Sequence, residues 1–154
     1  MKFLFRIAVL SLIVFFAYRL SKVHTNGPQV DPEMESYIAE WKADMTNAGI
    51  DWVEPYKRIK RIYFYNNSDD RLGYSTYNTN EVWVSSSLLR RDPYLLRASL
   101  YHEMGHFVFQ LDHSSGIMSD KSLCDNDPLY YEKNWQSILK DYLEKCKASK
   151  ANIL

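Results

Sequence analysis

His102-Glu103-Met104-Gly105-His106 concentrates the chemistry-bearing side chains of this sequence. Imidazoles four residues apart leave the same face of an α-helix, because four residues turn slightly more than once around the axis. Two such rings can share one metal ion, and Glu103, about 100° around from His102, lies beside that ion in position to take a proton from water. A hydrolytic zinc site needs a third protein ligand and one position left for water. Two neighbours compete for that role: Asp112, ten residues after His102, and His113, eleven after, at the end of the stretch that leads out of the helix. Asp112 stands at the third-ligand spacing of the pattern HExxHxxGxxH, whereas His113 carries the better donor. Glu132 is a more distant alternative. Beyond them, Gly116-Ile117-Met118-Ser119 offers a tight turn that presents a methionine, Met118, shortly after His113.

These residues need a helix and a sheet to hold them. Asp92-Pro93 is an N-cap followed by proline at the first helical position, and the helix it opens runs through the motif to Phe109, with Leu95, Leu96 and Leu100 supplying apolar surface. Asp31-Pro32 starts an earlier helix, on which Met34, Ile38, Trp41 and Met45 recur at helical spacing before Gly49 ends it. Asp127-Pro128 starts a carboxy-terminal helix with Tyr131, Trp135, Ile138, Leu139, Tyr142 and Leu143 at core spacing. Lys60 to Tyr65 is aromatic and β-branched and reads as a strand. Leu72 to Tyr77 and Glu81 to Ser86 flank Asn78-Thr79-Asn80 as the two arms of a hairpin. Strands and helices do not alternate one for one, so the expected fold is α+β, a small mixed or antiparallel sheet packed against helices. Glu81 to Ser86 immediately precedes the active-site helix, which makes Val82, Trp83 and Val84 the expected substrate-binding edge.

The order His102, Glu103, His106, then Asp112 or His113, then Met118 resembles the metzincin clan of zinc endopeptidases, in which an extended HExxH is followed by a third ligand and a Met-turn. Leu111-Asp112-His113-Ser114 matches the text of matrix-metalloproteinase-like members. The resemblance covers residues 102–118 as motif and about 60–145 as architecture. It implies a zincin fold with an active-site helix, a Met-turn and a C-terminal helix, one catalytic Zn2+, and hydrolysis of peptide bonds with Glu103 as general base. Two departures stand out. Phe109 occupies the place of the clan's linker glycine, and aligning the LDHS text needs one extra residue after His106; a longer linker turning by another route favours His113. Asp120 stands where several metzincins carry a tyrosine that assists the transition state, and neither Tyr130 nor Tyr131 is assigned that role. The competing readings are a zinc amidase acting on cell-wall peptides and an inactive membrane-tethered zincin that binds without turnover.

The 154 residues suffice for one domain and one core. Lys plus Arg balances Asp plus Glu at 19 each, but Lys2, Arg6, Arg19 and Lys22 have no acidic neighbour in residues 1–22, which leaves the remainder at 15 against 19. A mildly acidic body excludes a phosphate-backbone footprint, and the clusters Lys57 to Arg61 and Arg90-Arg91 read as a solvated face. Ile7 to Tyr18 is apolar except for Ser11, too short to span a bilayer comfortably and of the length of a signal-peptide core. Residues 1–22 are therefore expected to be a signal peptide or an N-terminal membrane anchor, 23–30 a polar linker, and 31–150 the zinc peptidase domain. The protein is then exported, either secreted or periplasmic, or held at the membrane by an uncleaved leader, and acts as a monomer on peptide or protein substrates without nucleic acid. Cys124 and Cys146 either pair in that oxidising compartment or remain two unrelated thiols.

Overall fold

A computed structural model of the chain describes residues 27–66, 71–119 and 128–151. The leader of residues 1–22, Cys124, Asp120 and the capping residue Asp127 all lie outside the described residues. Among the described residues no helix is long and apolar enough to cross a membrane.

The fold is mixed α+β. Strand β1 (Gln29–Val30) is followed by a 3-10 turn at Pro32–Met34, helix α1 (Glu35–Asn47), the short helix α2 (Val53–Lys57), strand β2 (Arg61–Tyr65), strand β3 (Gly73–Thr76), strand β4 (Glu81–Ser85), a 3-10 turn at Ser86–Arg90, helix α3 (Pro93–Phe109), a 3-10 turn at Gly116–Met118 and helix α4 (Pro128–Ala151). The sheet has the order β1-β2-β4-β3. β1 and β4 both run parallel to β2, and β3 pairs antiparallel with β4, so the sheet is mixed, the first of the two arrangements expected. Two expectations need correction. Gln29-Val30 is part of the sheet and not of the linker: the backbone N–H of Gln29 donates to the Lys60 carbonyl, a pairing too short to leave a period in the sequence. Asp31 stands at the N-cap position with Pro32 after it, but its side chain makes no capping bond. Its carboxylate accepts from the Phe64 N–H at 2.9 Å and ties the start of that segment to β2.

One face of the sheet turns Ile62, Val82 and Val84 into the core, all fully buried. The other face carries Tyr63, Trp83 and Tyr74 side by side across three strands. Helix α3 packs beneath the sheet, and its residues from Leu95 to Phe109 are buried on nearly every side, because the sheet covers one flank and α4 another. Asp92 caps α3, accepting from the Tyr94 N–H at 2.8 Å, with Pro93 at the first position. Helix α1 closes the core from the side. Trp41 donates its indole N–H to the Tyr142 hydroxyl at 3.3 Å, and Tyr101 donates to the Asp44 carboxylate at 2.6 Å. Cys146 is a free thiol, fully buried on α4.

Candidate metal centre and its cleft

Helix α3 presents His102, Glu103 and His106, with His102 only 5% and Glu103 only 7% exposed. Each helix histidine is oriented by its second nitrogen. His102 Nδ1 bonds the Ile117 carbonyl at 2.7 Å and His106 Nδ1 the Leu111 carbonyl at 2.5 Å. A carbonyl only accepts, so each ring donates to it from Nδ1 and turns Nε2 inward, the nitrogen that ligates a metal in the neutral ring. His106 Nε2 lies 2.9 Å from His102 Nε2 and 3.0 Å from His113 Nε2. Ring nitrogens this close either share a proton or converge on one cation. The three side chains form a group able to hold a metal ion, and the chemistry of the donors, three imidazoles, fits zinc.

His113 reaches this point because of the turn after α3. Phe109 stays helical, and the left-handed conformation that the sequence comparison placed one residue earlier falls on Gln110, at φ 55° and ψ 36°. The Gln110 N–H donates to the His106 carbonyl at 3.0 Å and the Leu111 N–H to the Gly105 carbonyl at 3.2 Å, a closed helix end that reverses the chain. The longer linker thus brings His113 and not Asp112 into the group. Asp112 is exposed on the cleft wall, and Glu132 is exposed on α4, outside the cleft lining.

Met118 lies under the helix, fully buried. A Cβ on Gly105 would stand 2.7 Å from its sulfur, so the glycine inside the motif is what lets the turn approach. The turn is held from the other side by Lys145, whose ammonium donates to the Ser115 carbonyl at 2.7 Å and to the Asp141 carboxylate at 2.7 Å.

Glu103 faces the edge of the sheet. Burial pushes its carboxyl up to about 7, partly offset by a hydrogen bond from Ser75. Its Cγ would be 2.8 Å from a Cβ on Gly73, so β3 approaches the glutamate as closely as a residue without a side chain allows. A cleft of about 1070 Å³ opens above these groups, lined among others by Arg71, Gly73, Ser75, Tyr77, the three histidines and Glu103. The edge strand of this cleft is β3, which corrects the expectation for Val82, Trp83 and Val84. Strand β4 is paired on both sides, with β2 and with β3, so its backbone has no edge to offer; Val82 and Val84 are core residues and Trp83 belongs to the outer aromatic row. Adjacency in sequence to α3 did not mean adjacency to the cleft. Gly73, Ser75 and Tyr77 were not singled out by any motif, and only the strand order brings them to the site.

No protein-family model matches this chain, and neither curated proteins nor solved structures provide a match.

Proposed function

We propose that the protein is a zinc-dependent endopeptidase of the metzincin kind, with His102, His106 and His113 holding one Zn2+ and Glu103 as general base. The observation that carries this reading is the convergence of three inward Nε2 atoms beside a buried carboxyl whose proton affinity burial holds near neutrality. When bound, the ion supplies Lewis acidity and brings the pKa of a water molecule toward 7. Glu103, beside that site, would take a proton from the water and return it to the leaving amine. Three histidine ligands leave a fourth position open, and an intact base beside it supports turnover over a purely structural or binding site. Strand β3, with one side paired to β4 and the other facing the cleft, offers main-chain groups on which an extended peptide can pair. Exported localisation, through residues 1–22, belongs to the same proposal.

The test is metal content and casein digestion by the full chain, wild type beside Glu103→Gln. The expected result is one zinc per chain in both and a loss of about 10²–10⁴-fold in rate in the variant. Equal digestion by both would refute the assignment.

A further inference from the structure

Hydrolysis of an amide places negative charge on the former carbonyl oxygen, and a preorganised hydrogen-bond donor at that oxygen contributes to rate more than most single groups. Beside the Lewis acidity that a bound ion would supply, the walls of the cleft can carry such a donor. Ser75 is bonded to Glu103, and Ser99 donates to the Leu95 carbonyl at 2.9 Å within its own helix. Tyr74 lines the cleft but packs against Trp83, with ring centres 6.0 Å apart, on the outer face of the sheet.

Tyr77 is placed differently. It follows β3 directly, lines the cleft, and lies flat against Phe107 of α3 with ring centres 5.1 Å apart and planes at 23°. One face of the ring is thereby fixed while 55% of the residue stays exposed. Its hydroxyl donates to the carbonyl of the metal-site residue His106 at 2.5 Å. That carbonyl already accepts the Gln110 N–H that closes the helix. Withdrawing the phenol therefore leaves no orphaned acceptor behind, and the donor can move from His106 to a ligand without the cost of an unsatisfied polar group.

We propose that Tyr77 is a further catalytic residue, whose O–H rests on the His106 carbonyl in the free protein and donates to the oxyanion of the tetrahedral intermediate during peptide hydrolysis. This role rests on the endopeptidase reading above. No bond to the phenol forms or breaks; the hydroxyl keeps its proton and exchanges one acceptor for another. Its position at the end of the edge strand couples it to the substrate, since a peptide paired along β3 passes beside the hairpin that carries it.

The experiment compares the zinc-loaded full chain with Tyr77→Phe, a change that keeps the stack on Phe107 and removes only the donor. Steady-state digestion of β-casein gives kcat and KM, and calorimetry gives affinities for zinc and for a phosphinic peptide that carries a tetrahedral anion and is built on a casein cleavage site. Tyr77→Phe is expected to lower kcat about 10²-fold and to weaken the phosphinic peptide by a similar factor, with KM and zinc affinity unchanged within about twofold. An unchanged kcat overturns the proposal. So does a fall in zinc affinity with the rate restored by excess zinc, because Tyr77 would then only tie the hairpin to the helix. Should the phenylalanine variant fold poorly, fluorotyrosines of increasing acidity at position 77 replace it: the rate must follow phenol acidity, and a flat response refutes the role. Wild-type protein that holds zinc yet neither digests casein nor binds the phosphinic peptide refutes the endopeptidase reading itself, and this role with it.

Discussion

Gly73→Ala isolates what the edge strand does for the general base. Carbon atoms in contact settle at about 3.5–4.0 Å, whereas the added Cβ would lie 2.8 Å from Glu103 Cγ, 2.9 Å from its Oε1 and 3.2 Å from its Cδ. The shortfall is about 1 Å. The strand is stiff, being paired to β4 from Gly73 to Thr76, while Glu103 is a side chain with free torsions, so the glutamate yields. It must then leave the Ser75 hydroxyl or adopt a poor rotamer, at a cost of about 1–2 kcal/mol. A displacement of about 1 Å in a catalytic group lowers the rate about 10²-fold, which corresponds to about 2.7 kcal/mol of transition-state stabilisation. The nearest atoms to the added Cβ all belong to Glu103 and none to His102, His106 or His113, so the three imidazoles are expected to stay in place. The assay is therefore a split: zinc affinity by calorimetry within about twofold of wild type, melting temperature lower by a few degrees, and kcat for casein reduced about 10²-fold. Unaltered kcat in a folded, zinc-loaded Gly73→Ala variant would show that Glu103 is not seated by β3.

His113→Ala is expected to weaken zinc binding by more than the 10–100-fold that the loss of an outer-shell partner costs, whereas Asp112→Ala leaves it within about threefold; the reverse ranking in a chelator competition assay would make Asp112 the ligand. Gln110 holds a left-handed conformation that costs a side-chain-bearing residue about 1–2 kcal/mol, so Gln110→Gly should raise the melting temperature by about 3–6 °C in calorimetric scans, and a lower value would contradict the strain. Burial pushes the Cys146 thiol from 9.0 up to about 12. Its folded pKa is the higher one, so its contribution to stability is complete below pH 9 and is lost as the pH rises toward 12; a Cys124→Ser chain should resist Ellman's reagent at pH 8 until guanidinium unfolds it, and rapid labelling of the native protein would exclude the burial.

His102, Glu103 and His106 were legible as a group because they share one helix, where local period alone decides which side chains meet. The cap at Asp92 and the strands at Arg61–Tyr65 and Glu81–Ser85 were legible for the same reason, since alternation and capping are local signals. The choice between Asp112 and His113 was legible only in part, through the longer linker that favoured His113. It depends on which residue takes the left-handed turn, and glutamine announces no such preference. Strand order is also non-local: nothing in Glu81–Ser85 states that β3 lies outside it, and the substrate edge was accordingly placed one strand too far in. Helix α2, Val53–Lys57, is too short to leave a period, and Pro55 fits its first turn because its missing N–H has no partner to lose there.

Glycine serves two needs around this site, and Gly116, at φ 64°, meets both at one position. One is conformational, and the linker after α3 meets it without glycine, by letting Gln110 carry the positive φ one residue beyond the position that Phe109 occupies. The other is close approach, and there the chain uses three of its five glycines. Gly73 admits Glu103, Gly105 admits the Met118 sulfur, and Gly116 admits the Asp141 carboxylate, each where a Cβ would fall within 2.8 Å of the neighbour. Strain at Gln110 costs stability but leaves the ligands where they are, because the turn is closed by two hydrogen bonds to the helix end. A methyl group at any of the three contacts would instead move the base, the floor of the metal site or the turn behind it. For a domain this small, the placement of the site therefore depends less on the turn that joins its ligands than on the absence of side chains at the three contacts that press its layers together.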